Sequence, residues 1–269
     1  LWQTARVPRG YYVYAIGRAG HPLPEEVEAI DGSRHVEAID ERPLCAFATP
    51  VELDEYSQAV IDARAREVEW LGAIGYRHQA VMAALMRGGT IIPLRAFTLF
   101  GSDGAVRARL REEASAFTKI LERVDGKQEW TLRVEFEPQR WSEALVGRVD
   151  ALRELNEQIA AAATGKAFLL RKKLDEEKKK ASRDAEGQVV AEIESEVLQR
   201  LACESVAESR TQRAGAFPQI SVLLPRDEEA RLQELRDTLE TRYAGEGVVV
   251  VLTGPWPPYS FSGTMKDER

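Results

Sequence analysis

The stretch Val248-Val-Val-Val-Leu-Thr-Gly-Pro-Trp-Pro-Pro-Tyr-Ser-Phe261, near the end of this 269-residue chain, anchors the reading of the fold. Four consecutive valines followed by leucine read as a largely buried strand. Pro255, Pro257 and Pro258 fix φ and lack a backbone donor, so a sheet ladder is expected to stop soon after Thr253, and Gly254 is the one permissive backbone position. The strand should therefore end in a stiff arm carrying Trp256, Tyr259 and Phe261. Such an arm can be a lid on a core, because an indole and a phenol bury large area at little entropic cost, or it can be a docking surface. As a lid it is expected to pack Trp256 or Tyr259 against the carboxy-terminal domain.

Upstream of this run, Gln219 to Leu224 reads as a strand closed by Pro225, then Leu232, Leu235 and Leu239 mark one helix face and Gly245 ends it. This makes a terminal β-α-β unit. Trp141 to about Ala162 and the charge-rich stretch Lys166 to Arg210 read as helices that pair in a projecting hairpin. Within the second, Arg171 to Arg183 holds seven basic residues, but Asp175 and Glu176 precede Lys179 and Lys180 by four positions and are expected to neutralise that helix face. In the amino-terminal half, Tyr11 to Ile16, His35 to Ile39 and Leu44 to Thr49 read as three strands. Ile74, His78, Val81 and Leu85, with Leu71 and Met82 beside them, form the stripe of an amphipathic helix over Glu67 to Arg87, stopped by Gly88-Gly89. Ile91 to Phe100 is extended. A helix capped by Ser102 or Asp103 then buries Val106, Leu110, Phe117, Leu121 and Val124 and ends at Gly126. In Glu129 to Glu137, Trp130, Leu132, Val134 and Phe136 alternate with polar residues, which predicts a strand with one buried and one wet face. The whole is of the α+β class in two domains, 1–138 and 139–269, divided near Pro138.

Composition narrows the function. Charged residues are 30% of the chain and the net charge is −7, which argues against a nucleic-acid binder that needs a basic footprint. Cys45 and Cys203 lie far apart with no CxxC or Cys/His spacing, so neither a disulfide framework nor a metal site is signalled. No apolar run approaches the roughly 20 residues of a membrane span, and the segment around Arg6, Pro8 and Arg9 lacks a secretory apolar core, so a soluble, unexported protein is expected.

No catalytic constellation emerges. His78 sits on an apolar helix face with no nucleophile identifiable nearby, so a satisfied, half-buried histidine is the expectation. His21 and His35 form no ligand pair. Thr164-Gly165-Lys166 lacks the upstream glycine of a phosphate loop, and neither GxSxG nor HExxH occurs. Arg95, ending the apolar segment Ile91-Ile-Pro-Leu-Arg95, is expected to pair with a carboxylate and lock two elements. No cofactor, metal or catalytic residue is expected.

Two distant motifs carry a resemblance. Arg77-His78 through Gly89-Thr-Ile-Ile-Pro93-Leu94-Arg95, followed by Thr98-Leu-Phe100, and the terminal Leu252 to Phe261 are similar, in order, to the two signatures of the gas vesicle GvpL/GvpF family. The likeness runs from Tyr11-Tyr-Val-Tyr-Ala-Ile16 to Phe261. The family usually continues Phe-Gly-Thr after its arginine, whereas this chain has Ala96-Phe97-Thr98. The resemblance implies two α+β domains with small, mostly antiparallel, ferredoxin-like sheets. It further implies an accessory or minor shell protein needed to form gas vesicles, protein shells without a lipid membrane. The implied partners are the small, very hydrophobic major shell protein and other accessory proteins, met in the cytoplasm during assembly. His78, Pro93, Leu94, Arg95, Gly254, Pro255, Trp256, Pro257, Pro258 and Tyr259 are then structural or interaction residues. An enzyme on a ferredoxin-like scaffold remains the alternative, and would need a pocket of convergent titratable groups. An RNA-binding module would need aromatics interleaved with basic residues on one sheet face, and Glu129, Glu135 and Glu137 beside Arg133 disfavour it.

Overall fold

The tyrosine-rich start of the chain becomes the central strand of a first sheet. The computed structural model describes residues 9–208 and 217–263. The residues around Arg6 and Pro8, and 209–216 where the sequence reading ends the long helix at Arg210, lie outside the described residues. Strand β1 (Arg9–Arg18) pairs antiparallel with β3 (Leu44–Glu52), which pairs antiparallel with β2 (Glu37–Glu41). β4 (Ile91–Pro93) and β5 (Leu99–Phe100) pair antiparallel with β1, giving the order β2-β3-β1-β4 with β5 also on β1. The expected extended run Ile91 to Phe100 is thus two short strands separated by a turn at Arg95 to Thr98. Within β1 the register slips: Val13 faces Ala48 and Ala15 faces Phe47, leaving Tyr14 as the extra residue of a bulge. The slip keeps Tyr12, Tyr14 and Ala15 in one core while Val13 and Ile16 enter another.

Those two cores cover opposite faces of the sheet. After the short helix α1 (Gln58–Arg64), α2 (Val68–Gly88) buries Ile74, His78, Val81, Met82 and Leu85 against the tyrosine face. Leu71, expected beside that stripe, is 36% exposed. On the other face, α3 (Asp103–Glu112) and α4 (Ala114–Val124) bury Val106, Leu110, Phe117 and Leu121. Ser102 caps α3, its hydroxyl accepting from the Ala105 N–H at 3.2 Å. The sequence shows one helix here, and the structure shows two, because the backbone leaves helical geometry at Glu113 while the apolar spacing runs on undisturbed.

The second unit follows the same logic with one covered sheet. β6 (Lys127–Phe136), β7 (Glu204–Glu208), β8 (Gln219–Pro225) and β9 (Val248–Trp256) stand in the order β7-β8-β6-β9. Trp130, Leu132, Val134 and Phe136 of β6, with Ile220, Val222, Val248 and Val250, form one core with the helices α5 (Pro138–Arg148), α6 (Asp150–Ala160), α7 (Thr164–Arg200) and α8 (Glu229–Tyr243). Two details differ from the sequence pattern. Glu129, assigned to the wet face of β6, is 4% exposed. The charged segment Glu204 to Glu208 is an edge strand on β8, not a continuation of α7, because pairing along one side of a sheet tolerates the acids that a core would not. Helix α7 has 37 residues and so spans about 55 Å at 1.5 Å per residue.

The compact units divide as Leu1–Gln128 with Trp256–Arg269, and Glu129–Pro255. The sequence reading draws a single cut near Pro138; the chain instead changes unit near the start of β6 and changes back after β9. The carboxy-terminal arm accordingly belongs to the first unit, and its expected packing on the carboxy-terminal domain is corrected on that point.

Candidate functional site

The two sequence motifs that lie farthest apart meet in one hydrogen-bonded chain. Tyr12, fully buried in β1, accepts at its Oη from the Phe97 N–H at 3.1 Å and lies 2.9 Å from His78 Nδ1. With its acceptor side taken by Phe97, the phenol donates its own proton to Nδ1, which assigns the Nε2–H tautomer to His78. Nε2 lies 3.1 Å from the Tyr259 hydroxyl of the arm. Burial pushes the His78 pKa down from 6.5 to about 4, and a hydrogen bond with the Leu94 backbone works against that shift. His78 is therefore a neutral link between β1, the Pro93-Leu94 segment and the arm. Burial also pushes the Tyr12 phenol well above its usual range.

A parallel relay secures the neighbouring tyrosine. The Ile30 N–H donates to Tyr14 Oη at 2.9 Å, Tyr14 lies 2.9 Å from Thr49 Oγ1, and Thr49 donates to the His35 carbonyl at 2.7 Å. The Tyr12 and Tyr14 rings lie 5.0 Å apart, and each is 5.8 Å from the imidazole. Tyr12 and Tyr14, two residues apart, share this face by the pleat of the strand, and the bulge in β1 adds Ala15 to it.

Phe97 occupies the place where the family resemblance leads one to expect glycine, and its φ is +66°. That left-handed conformation suits glycine and strains a bulky side chain. Offsetting contacts hold it: the Phe97 ring stacks on Trp70 at 5.8 Å and 23°, Trp70 lies under the Arg64 guanidinium at 4.6 Å, and the Phe97 amide is the donor to Tyr12. The turn is closed by Thr98, whose hydroxyl donates to the Arg95 carbonyl at 2.7 Å. The Arg95 side chain itself is exposed, so any pairing it makes lies at the surface and leaves no desolvated partner. It is the backbone of this motif, through Leu94, Arg95 and Phe97, that makes the site.

The arm is held at several points. Gly254 has φ +141°, and a Cβ there would stand 2.8 Å from Trp130 Cε3, so the position admits only glycine without rearrangement. β9 runs to Trp256, three residues past Thr253, and ends there. Pro257 and Pro258 are buried, and the Pro258 carbonyl accepts from the Ser262 N–H at 3.0 Å, turning the chain over. Phe261 is 1% exposed, and Arg123 of α4 both donates to its carbonyl at 3.1 Å and lies 5.7 Å from its ring. Tyr259 packs against the tyrosine core, while Trp256 remains 42% exposed. Tyr12, Tyr14, Phe97 and Arg123 have no distinctive sequence signal, since a tyrosine in a strand reads as ordinary core.

In the second unit a groove of about 550 Å³ is lined by Phe136, Trp141, Lys178, Ser182 and Glu186 among others. Three of its polar groups are engaged with one another: Trp141 Nε1 donates to Ser182 Oγ at 3.0 Å and Ser182 donates to Glu186 at 2.8 Å. No group of three or more His, Cys, Asp or Glu side chains placed to hold a metal ion occurs among the described residues. No helix among them is long and apolar enough to cross a membrane.

A histidine helix tied to a returning proline-aromatic arm defines a two-unit α+β protein in which that arm finishes the first unit. The chain belongs to the gas vesicle synthesis protein GvpL/GvpF family, whose family model matches residues 10–263. It is 29% identical to gas vesicle protein L of Streptomyces sp. (strain CB03234) over 96% of this chain and 94% of that one. It is 30% identical to gas vesicle protein F of the same strain, over 93% of this chain and 98% of the relative. The crystal structure of GvpF from Anabaena sp. PCC7120 superposes with a TM-score of 0.70 at 15% identity, covering 96% of this chain and 99% of that one, and so shares the fold.

Proposed function

We infer that this chain is a gas vesicle assembly protein that binds the major shell protein during nucleation or growth of the vesicle wall. Beside family membership, the observation that supports this reading is β9. It ends the order of its sheet, and none of the nine residues from Val248 to Trp256 carries a charge. Edge strands usually carry charges that discourage pairing with foreign strands, as β2 does here with Glu37, Asp40 and Glu41. An uncharged edge flanked by half-exposed Trp256 suits addition of an extended, apolar segment from a shell subunit, with backbone hydrogen bonds supplying affinity and alternate side chains supplying fit. Other accessory proteins of the vesicle are further partners, the setting is the cytoplasm during assembly and then the vesicle, and no reaction is required.

The test pairs genetics with binding. A clean deletion strain should lack mature vesicles, and purified chain should retain the shell protein in a manner weakened by Val249→Lys with Val251→Lys, two half-buried β9 positions. Normal buoyant vesicles in the deletion strain would refute the assembly role. Undiminished shell binding by the folded double variant would refute the β9 surface.

A further inference from the structure

Eight large hydrophobic side chains stand exposed among the described residues, and five of them fall on two patches of opposite charge. The first is the bend from α6 into α7. Phe168 is 69% and Leu169 67% exposed, while Ala167, Leu170 and Leu174 of the same helix turn inward. From Ala160 to Lys173 there are four cations, Lys166, Arg171, Lys172 and Lys173, and no acid. Along this helix the ion pair seen is Glu177 with Lys180 at 2.8 Å; Glu176 also acts on Lys180, and Glu177 acts on Lys173 at the edge of the patch. The second patch opens α2, where Val68 is 81%, Leu71 36% and Tyr76 75% exposed. Gly72 and Gly75 lie between them with open space where a Cβ would stand, so another chain can approach the helix backbone. The segment leading into it, Glu52 to Glu69, holds six acids against Arg64 and Arg66.

We propose that these are the two halves of a head-to-tail contact between copies of this chain: the Phe168-Leu169 tip of one copy docks on the Val68-Leu71-Tyr76 face of the next. Charge complementarity selects the partner. The whole chain carries −7, so with +4 placed on the tip the remainder carries −11, and the acidic segment beside exposed apolar side chains is the α1–α2 region. The two surfaces differ, so a pair joined at one tip and one α2 face still carries a second tip and a second α2 face through which further copies can add. Each patch offers only a few large side chains, which places the contact at the small, reversible end of interfaces, below roughly 1,200 Å². Part of its strength is electrostatic and is lost to salt screening.

Sedimentation velocity of the purified full chain tests this. The weight-average mass should rise with protein concentration at low salt and fall back toward the monomer at high salt. Lys166→Glu with Lys172→Glu should weaken association about tenfold or more, since like charges then face each other across the contact. Val68→Ser with Tyr76→Ser should act alike. All four positions are exposed, so both variants should keep the wild-type melting curve, and Phe168→Ser with Leu169→Ser provides a second tip variant. The decisive mixture combines the tip variant with the α2 variant: each keeps one intact surface, so together they should form one-to-one pairs and stop. A chain that stays monomeric at every concentration, association indifferent to both variants, or folded variants that fail to pair on mixing would overturn the proposal. Binding of a monomeric chain to anionic phosphatidylglycerol vesicles through the same lysines would replace it with a lipid surface.

Discussion

Replacing Phe97 by alanine and by glycine should invert the ordinary ranking of those two residues. At φ +66° an L-residue is held in a conformation costing about 1–2 kcal/mol, which alanine keeps and glycine relieves. Both substitutions remove the same ring. Phe97 is half-buried, so the lost burial is about 1 kcal/mol, half of what a fully buried large side chain contributes. Its stacking on Trp70 and its edge contact with Tyr12 add about 0.5–1.5 kcal/mol. Phe97→Ala should therefore destabilise the first unit by about 2 kcal/mol. For Phe97→Gly, the released strain, less about 0.5–1 kcal/mol of extra chain entropy, leaves a loss of about 1–1.5 kcal/mol. The Phe97 N–H to Tyr12 survives in both. Because a two-unit chain need not unfold in one step, hydrogen exchange of β1 amides is the proper readout, reporting the first unit's own opening free energy. An alanine variant as stable as the glycine variant, or more so, would show that residue 97 is not held in the left-handed region.

His78 gives a pH dependence of fixed sign. Its pKa is depressed from 6.5 to about 4 in the folded state, so the unfolded chain binds the proton more readily between those values, and stability falls as pH drops from about 6.5 to about 4, by on the order of 3 kcal/mol. Above that window the term is flat; subtracting the profile of His78→Gln removes the carboxylates, and identical profiles would disprove the buried neutral imidazole. Gly254→Ala should destabilise by about 2 kcal/mol or more through strain and overpacking against Trp130, whereas Gly75→Ala, in open space on α2, should stabilise by about 1 kcal/mol; thermal melts that move together would contradict both placements. Truncation after Gly254 should lower protection in β1 and α4 while leaving the core of β8 and α8 largely unchanged, and loss confined to the second unit would sink the arm's placement.

Much of this architecture is legible in the chain because it rests on local periodicity. The α2 stripe of Ile74, His78, Val81 and Leu85, the five buried positions from Val106 to Val124, and the alternating apolar residues of β6 all appear where their spacing puts them. What periodicity hides is either a break that does not disturb it, as at Glu113, or a choice made by distant partners. Nothing near Tyr259 in sequence indicates that its hydroxyl will face His78, 181 positions away. Arg95 differs for a related reason. A cation after an apolar strand suggests a desolvated side chain, yet the chain turns there, the Arg95 side chain is exposed, and its carbonyl accepts from the Thr98 hydroxyl. The motif residues were visible as a pattern; their meeting in one hydrogen-bonded chain was not.

The way Tyr259, Phe261 and Ser262 complete the first unit also imposes a timetable on synthesis. A ribosome delivers residues 9–128 well before the pieces that pair with His78 and Arg123, which emerge only after all of 129–255. Domains generally fold in the order they are made. Here the second unit can close its core while the first still waits with His78 and the α4 end uncovered. Only a chain read through Ser262 can seal the unit whose strands precede residue 129. A prematurely ended product keeps an unfinished apolar seam, the kind of surface that chaperones and proteases act on, so that incomplete copies are marked by their own first half.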